Sequence, residues 1–529
     1  MRITDVTLGK KRRIVLLGWG LTAGLLLNTS VPAAIHAQPR AKTAQGEVAG
    51  KWILQGTQKA FLGLPYAAPP TGELRWKAPQ PPHGWTGVRD ATNFAGRCEQ
   101  WHVWNDYFFQ DPGPTEDCLY LNVYAPAAAE PGKKLPVMVW IHGGGFFAGT
   151  GSEPRYTNSA LVSRGVVLVT INYRLGVFGF LTSEALAKET GGHAGNYGLM
   201  DMAAALGWVK SNIAAFGGDP ANVTVFGESA GSFAVSALTV SPEAQKLFQK
   251  AIGESGAFFG STIQTSPLTE RIKHDQAWID SLGVKSLDEL RKMPVEKLIE
   301  AAQKQPGLFF SPVIDGRFLT EPISDSYAAG RQALIPMMIG WNRDERAGTL
   351  SKEMTAAKWK AFAAEHYGKQ AEQFLAAFPA ESDEQAVQSA DAYTTANFIA
   401  LGSWRWVEAA AGSGRSPVYR YRFDRPAPPE ENHPQGKYAF HSAELEYVFG
   451  TLDVRHGATW HPEDRRLSDR MISYWTNFAR TGDPNGKGLP HWPRYDKEKA
   501  VLHLDDPIKA SPDTTRPQFE FLEKQTQPR

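Results

Sequence analysis

Val223-Thr224-Val225-Phe226-Gly227-Glu228-Ser229-Ala230-Gly231 is an apolar, β-branched run that ends in the pattern G-x-S-x-G. The run predicts a buried strand, and Ser232-Phe233-Ala234-Val235-Ser236-Ala237-Leu238 after it predicts a helix. A serine between the two would sit on a tight strand-to-helix turn with its hydroxyl exposed for reaction. Glycine suits positions 227 and 231, because a side chain would crowd the turn and φ > 0 is cheap only for glycine. The helix N-terminus would aim unpaired N–H groups and its positive dipole end at that serine. The pattern alone is a weak signal, since a plain Gly/Ser turn of an α/β protein matches it too. Other parts of a hydrolase are needed to choose.

Working outward, Leu135–Ile141 (LPVMVWI) and 165–171 (GVVLVTI) predict buried strands, 199–216 a helix, and 333–341 and Val418–Phe423 further strands. This alternation predicts an α/β fold: a mostly parallel central sheet with helices on both faces. The segments 267–304 and 351–412 are mainly helical in pattern. They are expected as helical insertions over the sheet's C-terminal edge and the active site, where ligands bind in such folds. A further helix is expected over 464–480.

An acyl-transfer site needs donors for an oxyanion. His142-Gly143-Gly144-Gly145-Phe146 follows the strand LPVMVWI, and consecutive glycines let backbone N–H groups approach a developing negative charge. A phosphate loop is the alternative, but no Gly-Lys-Ser/Thr follows. H-G-G-G upstream of G-x-S-x-G is the pairing expected of lipases and esterases, with the triad in the chain order Ser, Asp/Glu, His. For the base, His441 in Phe440-His441-Ser442-Ala443-Glu444 stands only slightly ahead of His433, His456 and His461. For the acid, Asp344 and Glu345 both lie just past the strand ending near Trp341.

The 529 residues are 42% hydrophobic and 21% charged, ordinary globular composition. The N-terminus reads as a secretory signal: Lys10-Lys11-Arg12-Arg13, an apolar stretch over 14–27 too short for a comfortable membrane span, then small residues suited to cleavage after Ala37. Residues 1–37 are thus expected to be removed, leaving 38–529 as one domain, periplasmic or secreted, with no stable membrane anchor. Twin-arginine export is a lesser alternative. The whole chain carries a net +1, and its first 37 residues hold five basic and one acidic residue, so the remainder stands at −3. That balance argues against nucleic acid or an anionic membrane as partner. Of two cysteines, Cys98 and Cys118, a single disulfide is the natural reading in an exported chain, with two free thiols as the alternative. A bridge would close a loop of about 20 residues and contribute on the order of 3 kcal/mol. No His cluster accompanies them, so no metal is expected.

These motifs together resemble the type-B carboxylesterases, which include bacterial para-nitrobenzyl esterases and, more distantly, the cholinesterases. The resemblance runs from Phe61-Leu62-Gly63-Leu64-Pro65-Tyr66-Ala67 through Glu116-Asp117-Cys118-Leu119-Tyr120-Leu121-Asn122, Asn172-Tyr173-Arg174 and Phe216-Gly217-Gly218-Asp219-Pro220. It ends at Trp475-Thr476-Asn477-Phe478-Ala479-Arg480-Thr481-Gly482-Asp483-Pro484. It implies the α/β-hydrolase fold, with Ser229 as nucleophile, Glu345 as acid and His441 as base, and oxyanion donors on the backbone of Gly144, Gly145 and Ala230. It supports the Cys98–Cys118 bridge, and it implies structural ion pairs Arg75–Glu116 and Arg174–Asp201. Ser255 and Glu228 match residues supporting the triad. Phe108, Phe146 and Phe258 are candidates for the substrate pocket.

Two departures stand out. The family's Asp-Glu-Gly is here Asp344-Glu345-Arg346-Ala347-Gly348, which puts a bulky cation beside the acid. Ten residues before the second cysteine, where cholinesterases hold a cation-binding tryptophan, stands Phe108; Trp101, Trp104, Tyr107 and Phe109 complete an aromatic loop whose alternative role is packing. The expected activity is cofactor-free hydrolysis of a small-molecule ester. A lipase or polymer- or toxin-ester hydrolase with the same triad is the alternative, and a catalytically silent interaction protein the remotest.

Overall fold

Eleven strands form one sheet. In chain order they are β1 (Lys51–Ile53), β2 (Gln58–Pro65), β3 (Tyr120–Pro126), β4 (Leu135–Ile141), β5 (Val167–Ile171), β6 (Gly218–Glu228), β7 (Lys250–Glu254), β8 (Met337–Asn342), β9 (Val418–Phe423), β10 (Ala500–Leu504) and β11 (Lys509–Pro512). Side by side the order is β11-β10-β9-β8-β7-β6-β4-β5-β3-β2-β1. Strands β4 to β10 are mutually parallel; β1, β2 and β3 on one edge and β11 on the other run antiparallel to their neighbours. The computed structural model describes residues 37–101, 108–260, 264–305, 307, 309–429 and 436–526. Residues 1–36 of the signal segment expected over 1–37, and Trp104, Tyr107 and His433, lie outside them. Gln38–Arg529 pack as one unit, and among the described residues no helix is long and apolar enough to cross a membrane.

Strand β4 shows why the apolar runs lack polar alternation. Val137, Val139 and Ile141 pack into one core with Val223 and Val225, while Met138 and Trp140 pack into another with Phe226 and Ile252. Both faces are covered, so both sets of alternate side chains are apolar. The helices Tyr197–Asn212 and Ala230–Leu238 cover the first face; Pro462–Thr481, with Met471, Trp475 and Phe478, covers the second.

Some boundaries move from their expected places. Strand β5 starts at Val167 because Gly165, at φ +82, turns the chain out of the short helix Ala160–Ser163. Strand β8 starts at Met337 after Pro336, which has no N–H to give a ladder. The region 267–304 is helical over Leu268–Ser281, Leu287–Arg291 and Val295–Gln303. Within 351–412, the helix Leu401–Gly412 does not hang over the sheet edge as an insertion would. It buries Trp404, Trp406 and Val407, and Trp406 lies so close to β7 that a Cβ on Gly253 would come within 2.2 Å of its ring.

The two expected ion pairs are present and buried. Asp201 accepts from Arg174 Nε (2.8 Å), Nη2 (2.7 Å) and the backbone N–H (3.0 Å). Arg75 forks onto Glu116 and also donates to the carbonyls of Arg291 (2.8 Å) and Met293 (2.7 Å). It thereby ties the end of the cysteine loop to the helical region 268–303. Removing either partner would strand a buried charge, at a cost of roughly 3–5 kcal/mol. Cys98 and Cys118 are disulfide-bonded.

Candidate active site

Register gathers the site. Gly227 of β6 pairs with Ile141 of β4 and with Gly253 of β7, and Glu254 pairs with Gly340 of β8. The chain therefore leaves the sheet on one edge at His142, Ser229, Ser255 and the loop after Asn342.

The turn after β6 is sharper than its glycines suggest. Gly227 and Gly231 do not carry the positive φ; Ser229 itself does, at φ 54 and ψ −123. The glycines answer to crowding: a Cβ on Gly231 would lie 2.0 Å from the Ile141 carbonyl oxygen, and one on Gly227 2.6 Å from the backbone of Gly231. Such a conformation costs a non-glycine residue about 1–3 kcal/mol and persists only where its surroundings enforce it. Here the Ser229 N–H donates to the Glu254 carbonyl (2.9 Å) and the Ser229 carbonyl accepts from Phe233 N–H (2.9 Å). The helix Ala230–Leu238 starts directly after the serine.

Three side chains meet in a line. Ser229 Oγ lies 2.9 Å from His441 Nε2, and His441 Nδ1 lies 2.6 Å from Glu345 Oε2. Glu345 is fully buried, and its other oxygen accepts from Ser255 Oγ (2.6 Å) and Asn342 N–H (2.8 Å). Asp344, the competing acid, points elsewhere: it pairs with Arg343 and accepts from Ala439 N–H (2.9 Å). Among the described residues the competing histidines, His456 and His461, make no bond to Ser229. His461 caps the helix Pro462–Thr481, and His456 is exposed. Asn342 is a support the sequence did not single out. Besides holding Glu345, its side chain donates to the Phe440 carbonyl (2.7 Å) and to Glu444 (2.5 Å), joining the acid loop to the histidine loop.

Glu228 lies 3.3 Å from His441 Nε2 and accepts from Ser442 Oγ (2.7 Å). Burial alone would lower the His441 pKa, but the charges of Glu228 and Glu345, with the bond to Glu345, outweigh it and hold the imidazole at about 9, Arg346 opposing. Burial raises Glu228, and the imidazolium opposes that. A histidine must be neutral to take a proton, so this electrostatic balance sets the acid limb of the rate profile. Glu228→Gln removes one negative charge, lowers the His441 pKa and is expected to move the rise of kcat/KM about one pH unit or more toward acid. A pH profile with its midpoint unmoved, or moved toward alkali, would count against this coupling.

The glycine loop lies against the turn. A Cβ on Gly143 would come within 3.1 Å of Ser229 Cβ. Gly144 and Gly145 adopt φ +105 and +62. Among the described residues no protein acceptor takes the backbone N–H of Gly144, Gly145 or Ala230. His142 is buried, stacks on Tyr173 at 4.4 Å and bonds the Gly143 carbonyl through Nδ1 (2.8 Å); burial holds it down at about 4 and therefore neutral. It fixes the loop rather than exchanging protons.

The pocket candidates separate. Phe146 and Phe258 stack on each other (5.9 Å), deeply buried, with Phe180 and Phe233 edge-on. Phe108 instead is 58% exposed. The cysteine loop contributes Trp101, which stacks on Phe147 (5.7 Å), and Phe147 meets Phe309 (5.9 Å); Phe147 and Phe309 were not picked out by any motif. Among the described residues no group of three or more His, Cys, Asp or Glu converges on a metal position.

A parallel sheet turning sharply into a helix at a serine, with that serine's histidine and acid delivered by later loops of the same edge, defines the α/β-hydrolase fold. The Carboxylesterase family model matches residues 37–522. The para-nitrobenzyl esterase of Bacillus subtilis (strain 168) is 40% identical over 88% of this chain and 94% of its own length. The fumonisin B1 esterase of Sphingopyxis macrogoltabida is 36% identical over 90% and 88%. A solved PNB esterase structure superimposes with a TM-score of 0.77 at 35% identity, covering 93% of this chain and all of the other. A carboxylesterase of Geobacillus stearothermophilus does so with 0.77 at 35%, covering 90% and 99%. The chain belongs to the carboxylesterase family and is a carboxylic-ester hydrolase.

Proposed function

We propose that this protein hydrolyses small-molecule carboxylic esters through an acyl-enzyme on Ser229. The observation that carries the reading is the unbroken hydrogen-bonded line from Ser229 Oγ through His441 to the buried Glu345. Ser229 Oγ attacks the ester carbonyl while His441 Nε2 takes its proton. Glu345 keeps the remaining proton on Nδ1 and stabilises the imidazolium. The unpaired N–H groups of Gly144, Gly145 and Ala230 receive the oxyanion, an effect worth several kcal/mol per site. His441 protonates the departing alkoxide, then activates the water that releases the acid. No step calls on a cofactor.

Export is part of the same reading. The basic and apolar leader over 1–37 would be removed, and the Cys98–Cys118 bridge suits an oxidising compartment. One mass-spectrometric experiment tests both. After treatment with diethyl p-nitrophenyl phosphate, one equivalent of diethylphosphoryl group is expected on the peptide containing Ser229, with p-nitrophenyl butyrate turnover lost in step, on a chain beginning at Gln38. Label on another residue, or turnover surviving full labelling, would overturn the mechanism. An intact leader on exported protein would overturn the processing.

A further inference from the structure

The long helix over the site contains an irregular turn. Asp383–Thr395 passes through a π-helical turn, Ala396–Ala400, into Leu401–Gly412. Such turns widen the helix by one residue and gather at functional sites. This one carries Phe398, whose ring meets the His441 ring edge to face at 5.2 Å. The guanidinium of Arg346 stacks over the same Phe398 ring at 4.3 Å. The loop bearing Arg346 is fastened to this helix: Thr394 Oγ1 donates to the Arg346 carbonyl (3.3 Å), and Gly348 N–H donates to Asp391 (2.9 Å). Arg346 is exposed, and among the described residues no carboxylate pairs with its side chain.

We propose that Arg346 is a specificity-determining cation beside the reacting centre, selecting half-esters of dicarboxylic acids, in which an ionised carboxylate accompanies the scissile ester. The inference rests on the acyl-enzyme reading above. Glu228 and Glu345 flank His441 with negative charge and would repel an anionic substrate. Arg346 follows Glu345 in the chain and sits over the Phe398 ring that meets His441. Its field reaches the reacting centre, since it disfavours the protonated form of His441. Stacking on Phe398 restricts the guanidinium while, among the described residues, no acceptor takes its N–H fork, the arrangement that binds a carboxylate with two parallel hydrogen bonds.

The test compares two esters of equal acyl length, p-nitrophenyl hydrogen glutarate and p-nitrophenyl valerate, by kcat/KM. Arg346→Gln is expected to lower the glutarate-to-valerate ratio about fivefold or more, and Arg346→Lys to keep most of it. Raising salt from low to high is expected to erode the ratio in the natural protein and not in Arg346→Gln, because charge attraction is screened. A ratio within twofold of the natural protein's in Arg346→Gln overturns the proposal. If that variant fails to fold, a salt-independent ratio in the natural protein overturns it instead. Absence of turnover on both esters by the natural protein would sink the acyl-enzyme reading, a separate result.

Discussion

Ser229→Ala is expected to lower kcat on p-nitrophenyl butyrate by at least about 10⁴-fold, with only background hydrolysis from the remaining groups. KM should change little, since the removed oxygen makes its bond in the transition state and not in substrate binding. The fold should survive, because alanine at φ 54 and ψ −123 bears the same strain as serine and keeps the backbone bonds to Glu254 and Phe233. Steady-state kinetics with a thermal melt on the same sample read both. A variant that folds normally and retains activity within tenfold would remove Ser229 from the mechanism.

Glu345→Gln should be nearly as damaging, about 10³–10⁴-fold in kcat, for a reason particular to this loop. The Asn342 N–H can only donate, and it donates to Glu345 Oε1 together with Ser255 Oγ. A glutamine here must therefore turn its carbonyl toward Asn342 and its NH₂ toward His441. Nδ1 then has to accept, the imidazole proton moves to Nε2, and no lone pair remains to take the proton of Ser229. A loss below tenfold would strip Glu345 of this role. Asp344 is no ready substitute while it remains bonded to Ala439 and Arg343.

Much of this arrangement was legible in residues close together along the chain. The elbow, the glycine loop and the apolar strands are local patterns, each weak alone, that become specific through their order along the chain. The choice between Asp344 and Glu345 was not local. It depends on which of two adjacent carboxylates meets Ser255 and Asn342, and on β7 and β8 lying side by side. His441 likewise differs from His456 and His461 only through its tertiary neighbours. At the elbow the crowding expected at the glycines is present, with the Ile141 carbonyl against Gly231, but the positive φ also expected of them falls on the serine instead. Phe398 could not be foreseen, because nothing in its sequence distinguishes a π-turn from ordinary helix. The helix Leu401–Gly412 was misplaced because periodicity reports that a face is buried without naming what buries it.

The strands at the two ends of the sheet bear on how this protein meets others of its kind. An open sheet invites a neighbouring chain to add a strand wherever backbone donors and acceptors stand free. Here the last strands on either side, Lys51–Ile53 and Lys509–Pro512, are three and four residues long. Both begin with lysine, and the second ends in proline, which has no N–H to offer. Edges so brief and so charged discourage ladder growth between molecules, so copies of this chain are expected to meet through side chains rather than through a shared sheet.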